Sequence, residues 1–449
     1  MKKSKAIVLL TIALVITAIL TFLTFARFPV GTKNFNGFLG AIQTDYDLSG
    51  GTAYTLTLSD DNINDVDDVD EVINTLKYRL NLLGYENYSV KAIKDVDAAV
   101  EDYDIRIEAR GSVSRFGEVD TDTLASDIKV AAAYGELTFY GGTSQNPTEQ
   151  ILDKGNPVAD AYYMGVSNNG DSTTYNVNIK FSNYGYDALM ELLNANSTYY
   201  VQINLGDTVL LPGTSALSSS YINDKSLIIT TGSEASARQA ALQIKTGGLA
   251  YKYDVSEGED VSSPLGRNLE VKSIITISLL LVAIIAAMFV IDKKYGVVSC
   301  LSTIVFTDIY LFLMIAIPGI KISIGGVIGF ALATVLLADG FMIISKRIKE
   351  EFARGKTVKS AVKTGFKRAL LPIAGTAGIT AASAFILFAL TGGALKNFAL
   401  VFAVGVVLAA AINLLVSRMF ANLILAIVKY DQSFLGLKRT DKNAEEAGE

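Results

Sequence analysis

The chain has 449 residues, half of them hydrophobic, with 37 glycines, seven prolines, one cysteine and neither histidine nor tryptophan. Without histidine there is no Ser-His-Asp triad, no Cys-His pair and no HExxH zinc site, and the lone Cys300 excludes an internal disulfide and any CxxC metal or redox motif. Charge divides the chain: residues 26–272 hold 18 Lys and Arg against 35 Asp and Glu, a balance of −17, while the remainder holds 21 against 10, a balance of +11. An acidic middle speaks against nucleic acid as a partner and fits a soluble domain between membrane anchors.

The first predicted element is the uncharged run 6–25 behind Lys2, Lys3 and Lys5. Twenty helical residues span about 30 Å, the thickness of a hydrocarbon core. An uncleaved anchor is favoured over a signal peptide, because the run is long for an h-region and no small-x-small cleavage site follows. The outer segment after it reads as α+β. Residues 53–58 alternate behind a Gly-Gly turn and predict a strand, and 69–83 place Val72, Leu76, Leu80 and Leu83 at helical spacing before Gly84. The acidic stretch 60–68 lacks the glycine and closing glutamate of an EF-hand and reads as a solvated loop. A strand is expected at 104–109, a helix at 121–133 and a strand at 136–140, an alternation that suggests a split βαβ, ferredoxin-like base. Strands at 175–181 and 226–230 belong to an inserted unit, and a helix at 235–245 with a strand at 248–255 returns to the base. The expected division is a first transmembrane helix over 1–27 and an extracytoplasmic domain over 28–272. Within that domain the base covers about 28–145 and 233–265, and the head about 146–232.

Five more apolar runs follow at 273–291, 296–317, 322–345, 369–390 and 397–417 within a transmembrane region over 273–428, and a polar tail covers 429–449. The 346–368 loop carries nine Lys and Arg against two Glu, whereas 318–321 and 391–396 carry one lysine each. Six spans with both termini on the cytoplasmic side satisfy these asymmetries. The fold class expected is a six-helix transmembrane bundle with a large α+β outer domain.

Two carboxylates interrupt the spans, Asp308 and Asp339. An acid in mid-span costs about 3 kcal/mol on insertion scales, so it needs an offsetting role, either a neutral hydrogen-bonded one or ion coupling. Gly325, Gly329, Leu332 and Leu336 fall within a quarter turn of Asp339 and turn it toward a bundle interior. Thr376, Thr380 and Ser383 on one face of the fifth run, and Asn413 in the sixth, are candidates for a polar relay or for ordinary helix packing.

The segment 338–351, Ala-Asp-Gly-Phe-Met-Ile-Ile-Ser-Lys-Arg-Ile-Lys-Glu-Glu, resembles the fourth-span signature of the SecD family, V-D-A-N-V-L-I-x-E-R-I-x-E-E in outline, with the spacing from Asp339 to Arg347 kept. Asp47, Leu48, Gly50 and Gly51 resemble that family's D-L-x-G-G motif, 79–84 its R-x-N-x-x-G helix end, and 239–249 its closing helix and turn. Phe341, Gly375 and Ala377 stand where the family carries polar residues, and Asp308 falls at or near its third-span Asn. The resemblance implies a non-enzymatic accessory subunit of the RND superfamily in a bacterial plasma membrane. Such a subunit works beside a SecF-like six-span partner and the Sec channel, and uses the proton-motive force to draw unfolded preproteins across. Asp339 is then the coupling acid and Asp308 a second carboxylate, with H+ as the coupling ion, Na+ the alternative, and no cofactor or metal. An RND-type exporter of small molecules or lipids and an uncoupled membrane scaffold remain open beside this reading.

Overall fold

The computed structural model describes residues 3–435 apart from 31–32, 36, 60–68, 95–102, 113–118, 154, 170–171, 250 and 318–319. The 60–68 acidic stretch and the tail after 435 therefore lie outside the described residues. The chain opens with α1 (Lys3–Phe25), the ladder of β1 (Phe28–Val30) with β2 (Lys33–Phe35), and two single turns, α2 (Gly37–Gly40) and α3 (Tyr46–Ser49). Next come β3 (Gly51–Leu58), α4 (Val69–Leu82), β4 (Tyr88–Lys94), β5 (Tyr103–Ala109) and α5 (Thr121–Ala131). Then follow β6 (Leu137–Gly142), β7 (Glu149–Ile151), β8 (Val158–Asn169), β9 (Ser172–Phe181), α6 (Asn183–Ala195), β10 (Tyr200–Leu205) and β11 (Thr208–Leu211). The sheet-rich elements close with β12 (Ile222–Asn223), β13 (Ser226–Thr231), α7 (Glu234–Thr246), β14 (Tyr253–Val255) and β15 (Glu259–Val261). Long helices finish the chain: α8 (Leu269–Asp292), α9 (Gly296–Ala316), α10 (Ile324–Ala353), α11 (Val358–Leu390), α12 (Gly393–Ala411) and α13 (Ser417–Ile427).

Two compact units emerge, one of residues 51–111 and 121–261, the other of 1–50, 112–120 and 262–449. Residues 28–50, expected in the base, thus group with the long helices. In the sheet-rich unit, β14, β3, β5 and β4 lie side by side in that order, every neighbour antiparallel, with β15 also on β3. Leu56, Ile105 and Ile107 of the sheet pack on Leu76 and Leu80 of α4 and Leu124 and Ile128 of α5, which alternation in strands and 3.6-residue spacing in helices bring to one side. Gly51 opens β3 where a Cβ would stand 2.1 Å from the Ala109 carbonyl oxygen, so the second glycine of the Gly-Gly pair is required by strand pairing. Arg79 is fully buried at the end of α4, and its guanidinium donates to the Thr246 hydroxyl and the carbonyls of Ala131, Ala133 and Gly247 at 2.6–2.9 Å. Burial holds its pKa down at about 10. Those acceptors sit at the C-terminal ends of α5 and α7, where helix dipoles present negative charge.

The strand expected at 136–140 forms as β6, but it pairs with β10 and β7 and so belongs to a second sheet, not to the base. Alternation predicts a strand without naming its partner, which is why the sequence placed it wrongly. The strand expected over 248–255 is confined to β14, with Leu249 in an isolated bridge to Tyr134. A third sheet runs β12-β13-β9-β8, and its core side chains Val177, Ile179, Leu227 and Ile229 pack with Val201, Ile203 and Phe139 of the second sheet.

Among the described residues of the helical unit, five continuous stretches are long and apolar enough to cross a membrane: Lys3–Phe25, Leu269–Ala316, Ile324–Ala353, Val358–Leu390 and Gly393–Ile427. The longest consists of α8 and α9 packed on each other across the 3-10 turn Lys293–Tyr295. Side chains such as Ile16, Phe22, Leu279, Leu371 and Ile379 are exposed, which a helix tolerates where lipid is the solvent; the protein is a multi-pass membrane protein. The basic loop expected over 346–368 is mostly helix: α10 runs on to Ala353 and α11 begins at Val358, with Thr357 capping it through Ser360 N. Lys, Arg and Glu are good helix formers, so charge there ends the hydrophobic span without ending the helix.

Candidate functional site

Asp339 lies in the middle of α10 and is half-buried. Small residues bring its neighbours close. A Cβ on Gly325 would stand 2.3 Å from the Ala394 carbonyl oxygen and one on Gly329 3.0 Å from that of Phe398, so the glycine strip seats α10 on α12. Leu332 departs from the expected interior face and is 43% exposed. About three turns beyond Gly329, a Cβ on Gly340 would lie 2.0 Å from Asn413 Nδ2, and Asn413 donates from that nitrogen to the Leu337 carbonyl at 3.1 Å. Asn413 belongs to a π-helical turn, Ile412–Val416, between α12 and α13; such turns widen the helix, and here the widened turn faces the Asp339 segment.

The result is a small cleft of about 30 Å³ lined by Asp339, Gly340, Thr376, Ala377 and Asn413, with apolar walls that include Val406. A site of that volume holds one or two water molecules. Asp339 has neither a hydrogen-bond nor an ion-pair partner among the described residues, and Asn413 Oδ1 is a buried acceptor equally without one. Three candidates from the sequence thus meet in one cleft. Thr380 and Ser383 do not line it: Thr380 is half-buried, and Ser383 is exposed and donates to the Ile379 carbonyl at 2.9 Å. Gly375 and Gly378 face open space rather than a packed neighbour.

Asp308 serves a different interface. It is 2% exposed on α9 and accepts hydrogen bonds from the Thr21 hydroxyl at 2.6 Å and the Thr24 hydroxyl at 3.0 Å, both on α1. Thr24 has a second acceptor in the Leu20 carbonyl at 2.9 Å, whereas Thr21 has Asp308 alone among the described residues. These threonines were invisible in the sequence, where two hydroxyls in an apolar run read as ordinary helix residues. Asp308 and Asp339 do not share a cleft.

The motif residues near the N-terminus also find a role. Asp45 caps α3, Leu48 is buried, and Gly50 takes φ +77° while donating its N–H to the Tyr46 carbonyl. Asp47 accepts from Ile324 N at 3.1 Å, beside Ser323, whose hydroxyl caps α10 through Gly326 N. The adjoining strand-like contact pairs Ile322 with Gln43 and Asp45 through backbone hydrogen bonds of 2.6 and 3.0 Å. Burial, opposed by the Ile324 amide and reinforced by Asp45, raises the Asp47 pKa to about 6. Its Oδ1 is buried without a partner. The motif therefore caps the helix that carries Asp339.

Comparison with known proteins matches residues 244–428 to the family of "Protein export membrane protein SecD/SecF, C-terminal". Protein translocase subunit SecD of Escherichia coli strain K12 is 29% identical over 189 residues, which cover 42% of this chain and 31% of that protein. SecD of Acidaminococcus fermentans is 28% identical over 235 residues, covering 52% and 55%. Protein translocase subunit SecDF of Brucella abortus is 26% identical over 385 residues, covering 81% and 48%. A crystal structure of SecDF in its super-membrane-facing form shares the fold, with a TM-score of 0.69, 20% identity, and coverage of 94% of this chain and 58% of that one. The chain thus spans from about a third to rather more than half the length of these relatives.

Proposed function

From the match of residues 244–428 to the SecD/SecF C-terminal family, we propose that the chain is a SecD-type accessory subunit of a Sec translocase and couples ion movement to preprotein translocation across a bacterial plasma membrane. The observation that carries the coupling is the unpartnered Asp339 carboxylate, held with Thr376 and Asn413 in a cleft of water size. Protonation removes a charge that a dry helix interface tolerates poorly, so the α10–α11–α12 packing has one preferred arrangement with Asp339 neutral and another with it ionised. A proton moved through 100 mV contributes about 2.3 kcal/mol, enough to bias such an equilibrium. Na+ is the second reading: the Asp339 carboxylate, the Thr376 hydroxyl and the unpaired Asn413 Oδ1 are an all-oxygen donor set.

The rest of the assignment follows. Counting α8 and α9 as separate crossings gives six spans, and the basic ends of α10 and α11 then face the cytoplasm along with both termini. The β14-β3-β5-β4 sheet with α4 and α5 is read as a ferredoxin-like base, and the second and third sheets as the head. A groove of about 790 Å³ beside β8, β9 and β13, with Tyr162, Asn178 and Tyr221 in its wall, is wide enough for an extended preprotein segment. Exposed small residues on α11 leave room for a SecF-like partner. The relatives are named as translocase subunits, in line with the reading of the chain as a non-enzyme. The test is export of a secreted reporter by cells whose sole copy carries Asp339→Asn. Normal folding and insertion with loss of the export stimulus is expected. Undiminished export would overturn the coupling role and leave an exporter or a scaffold as the better reading. Collapsing the proton gradient and the sodium gradient in turn separates the two ions.

A further inference from the structure

The basic end of the helical unit has an internal accounting that singles out one groove. Of the nine cations in 346–368, five are taken up by carboxylates. Glu351, fully buried, takes Arg354 at 2.7 Å, Lys356 at 2.6 Å and Arg368; Asp292 takes Lys349 at 2.9 Å; Glu350 takes Arg347 at 2.7 Å. Lys359 lies over the Tyr430 ring at 6.0 Å. Lys363 and Lys367 have no ion-pair partner among the described residues. They stand one turn apart on α11, and across from them stands Arg418 in the first turn of α13, equally unpaired.

These three cations rim a groove of about 450 Å³ whose remaining wall is Phe366, Leu370, Ala411, Leu414 and Leu415. No carboxylate lines it among the described residues. The polarity is ordered along the helix axis. At 1.5 Å per residue, Leu370 lies about 5 Å further into the span than Lys367, and the uncharged part of α11 begins just beyond Arg368. Leu370 is 51% and Leu415 69% exposed, so the apolar wall continues from the groove onto the lipid-facing surface.

We infer that this groove between α11 and α13 is a binding site for an anionic phospholipid, whose phosphate sits among Lys363, Lys367 and Arg418 and whose acyl chain runs along Leu370 and Leu415. Charge complementarity and the polar-to-apolar order both select this occupant. A free phosphate would leave the apolar wall exposed. An apolar partner helix would cover three cations without supplying an anion. A diacyl lipid with a negative headgroup satisfies both parts, and it needs no feature of the Asp339 cleft.

The test uses the purified full chain in a neutral detergent, with phosphatidylglycerol or phosphatidylcholine added and bound lipid counted by native mass spectrometry. The wild-type chain is expected to retain phosphatidylglycerol in preference. The variant K363Q/K367Q/R418Q is expected to bind it weaker by on the order of a hundredfold, with phosphatidylcholine binding unchanged. A control, K293Q/K294Q/K346Q, removes the same charge from exposed lysines at the same end and is expected to keep the preference. Equal retention of the two lipids, or a control as damaged as the test variant, would show diffuse charge instead of a site. Displacement of the lipid by glycerol phosphate at equal concentration would mean a soluble phosphate site. A photo-cross-linker at position 370 that captures protein instead of lipid in native membranes would identify a protein partner, and either result overturns the inference.

Discussion

Replacing Gly340 by alanine tests the architecture of the Asp339 cleft without touching a titratable group. The new Cβ would stand 2.0 Å from Asn413 Nδ2 and 2.7 Å from Cγ, where ordinary contact begins at 3.4 Å, so the amide must retreat by about 1.4 Å. Both residues are buried, and α10 is already seated on α12 through Gly325 and Gly329, so rigid separation of the helices is the costlier escape. Overpacking of this kind costs about 1–3 kcal/mol, and loss of the Asn413–Leu337 hydrogen bond adds about 0.6–1 kcal/mol. The expected destabilisation is about 2–4 kcal/mol, read by reversible unfolding of the purified chain in mixed micelles. Asn413→Ala removes the clashing group, so the double variant G340A/N413A is expected to recover at least 1 kcal/mol relative to the sum of the single changes. Additive effects of the two substitutions would refute the assigned contact, as would a fully stable Gly340→Ala protein.

Three further outcomes follow from the hydrogen-bond pattern. Asp308→Asn is expected to give partial loss of export, and Thr21→Val a larger loss than Thr24→Val, because the single Thr24 proton is divided between Asp308 and the Leu20 carbonyl while that of Thr21 goes to Asp308; equal or absent effects in the export assay would reduce Asp308 to a filler. Arg79→Met leaves carbonyls at two helix ends without a donor and should cost about 1–3 kcal/mol for each one left unsatisfied, read by denaturant unfolding of the whole chain, and a neutral result would contradict the buried network. The raised Asp47 pKa gives a stability contribution that is complete below about pH 3.8 and lost as pH rises through about 6. The melting midpoint should therefore fall between pH 4 and 6 in the wild type and less in Asp47→Asn, and a rise over that window in the wild type alone would refute the sign.

The spans were legible because uninterrupted apolar runs have one physical meaning, and Asp339 stood out because an acid in such a run needs a reason. Thr376 and Asn413 were candidates on the same ground. Geometry then separated them from Thr380 and Ser383, which helical spacing alone had grouped together. The Asp308 partners lie 287 and 284 residues away in the chain, and a threonine that can bond its own i−4 carbonyl gives no sign that it bonds something else. The π turn at Ile412–Val416 has no composition of its own. In the sheet-rich unit β4 escaped notice, since Tyr88–Lys94 is short and carries two lysines, and β6 was found but given the wrong sheet. Periodicity reports which face of an element is buried, and pairing depends on what arrives from elsewhere in the chain.

One helix gathers most of what the sequence had listed separately. α10 starts where Asp47 and Ser323 hold its first amides, and Asp339 lies fifteen residues beyond Ile324, about 22 Å along the axis. Its far end supplies Glu351 to three cations and Lys349 and Ser345 to Asp292. Tied at both ends and seated on α12 by glycines, α10 would answer the proposed charge change at its middle by sliding or turning as a unit, because bending it would break bonds that neither end can replace. The Asp-Leu-x-Gly-Gly segment is thus fastened to the same rigid element as the membrane carboxylate.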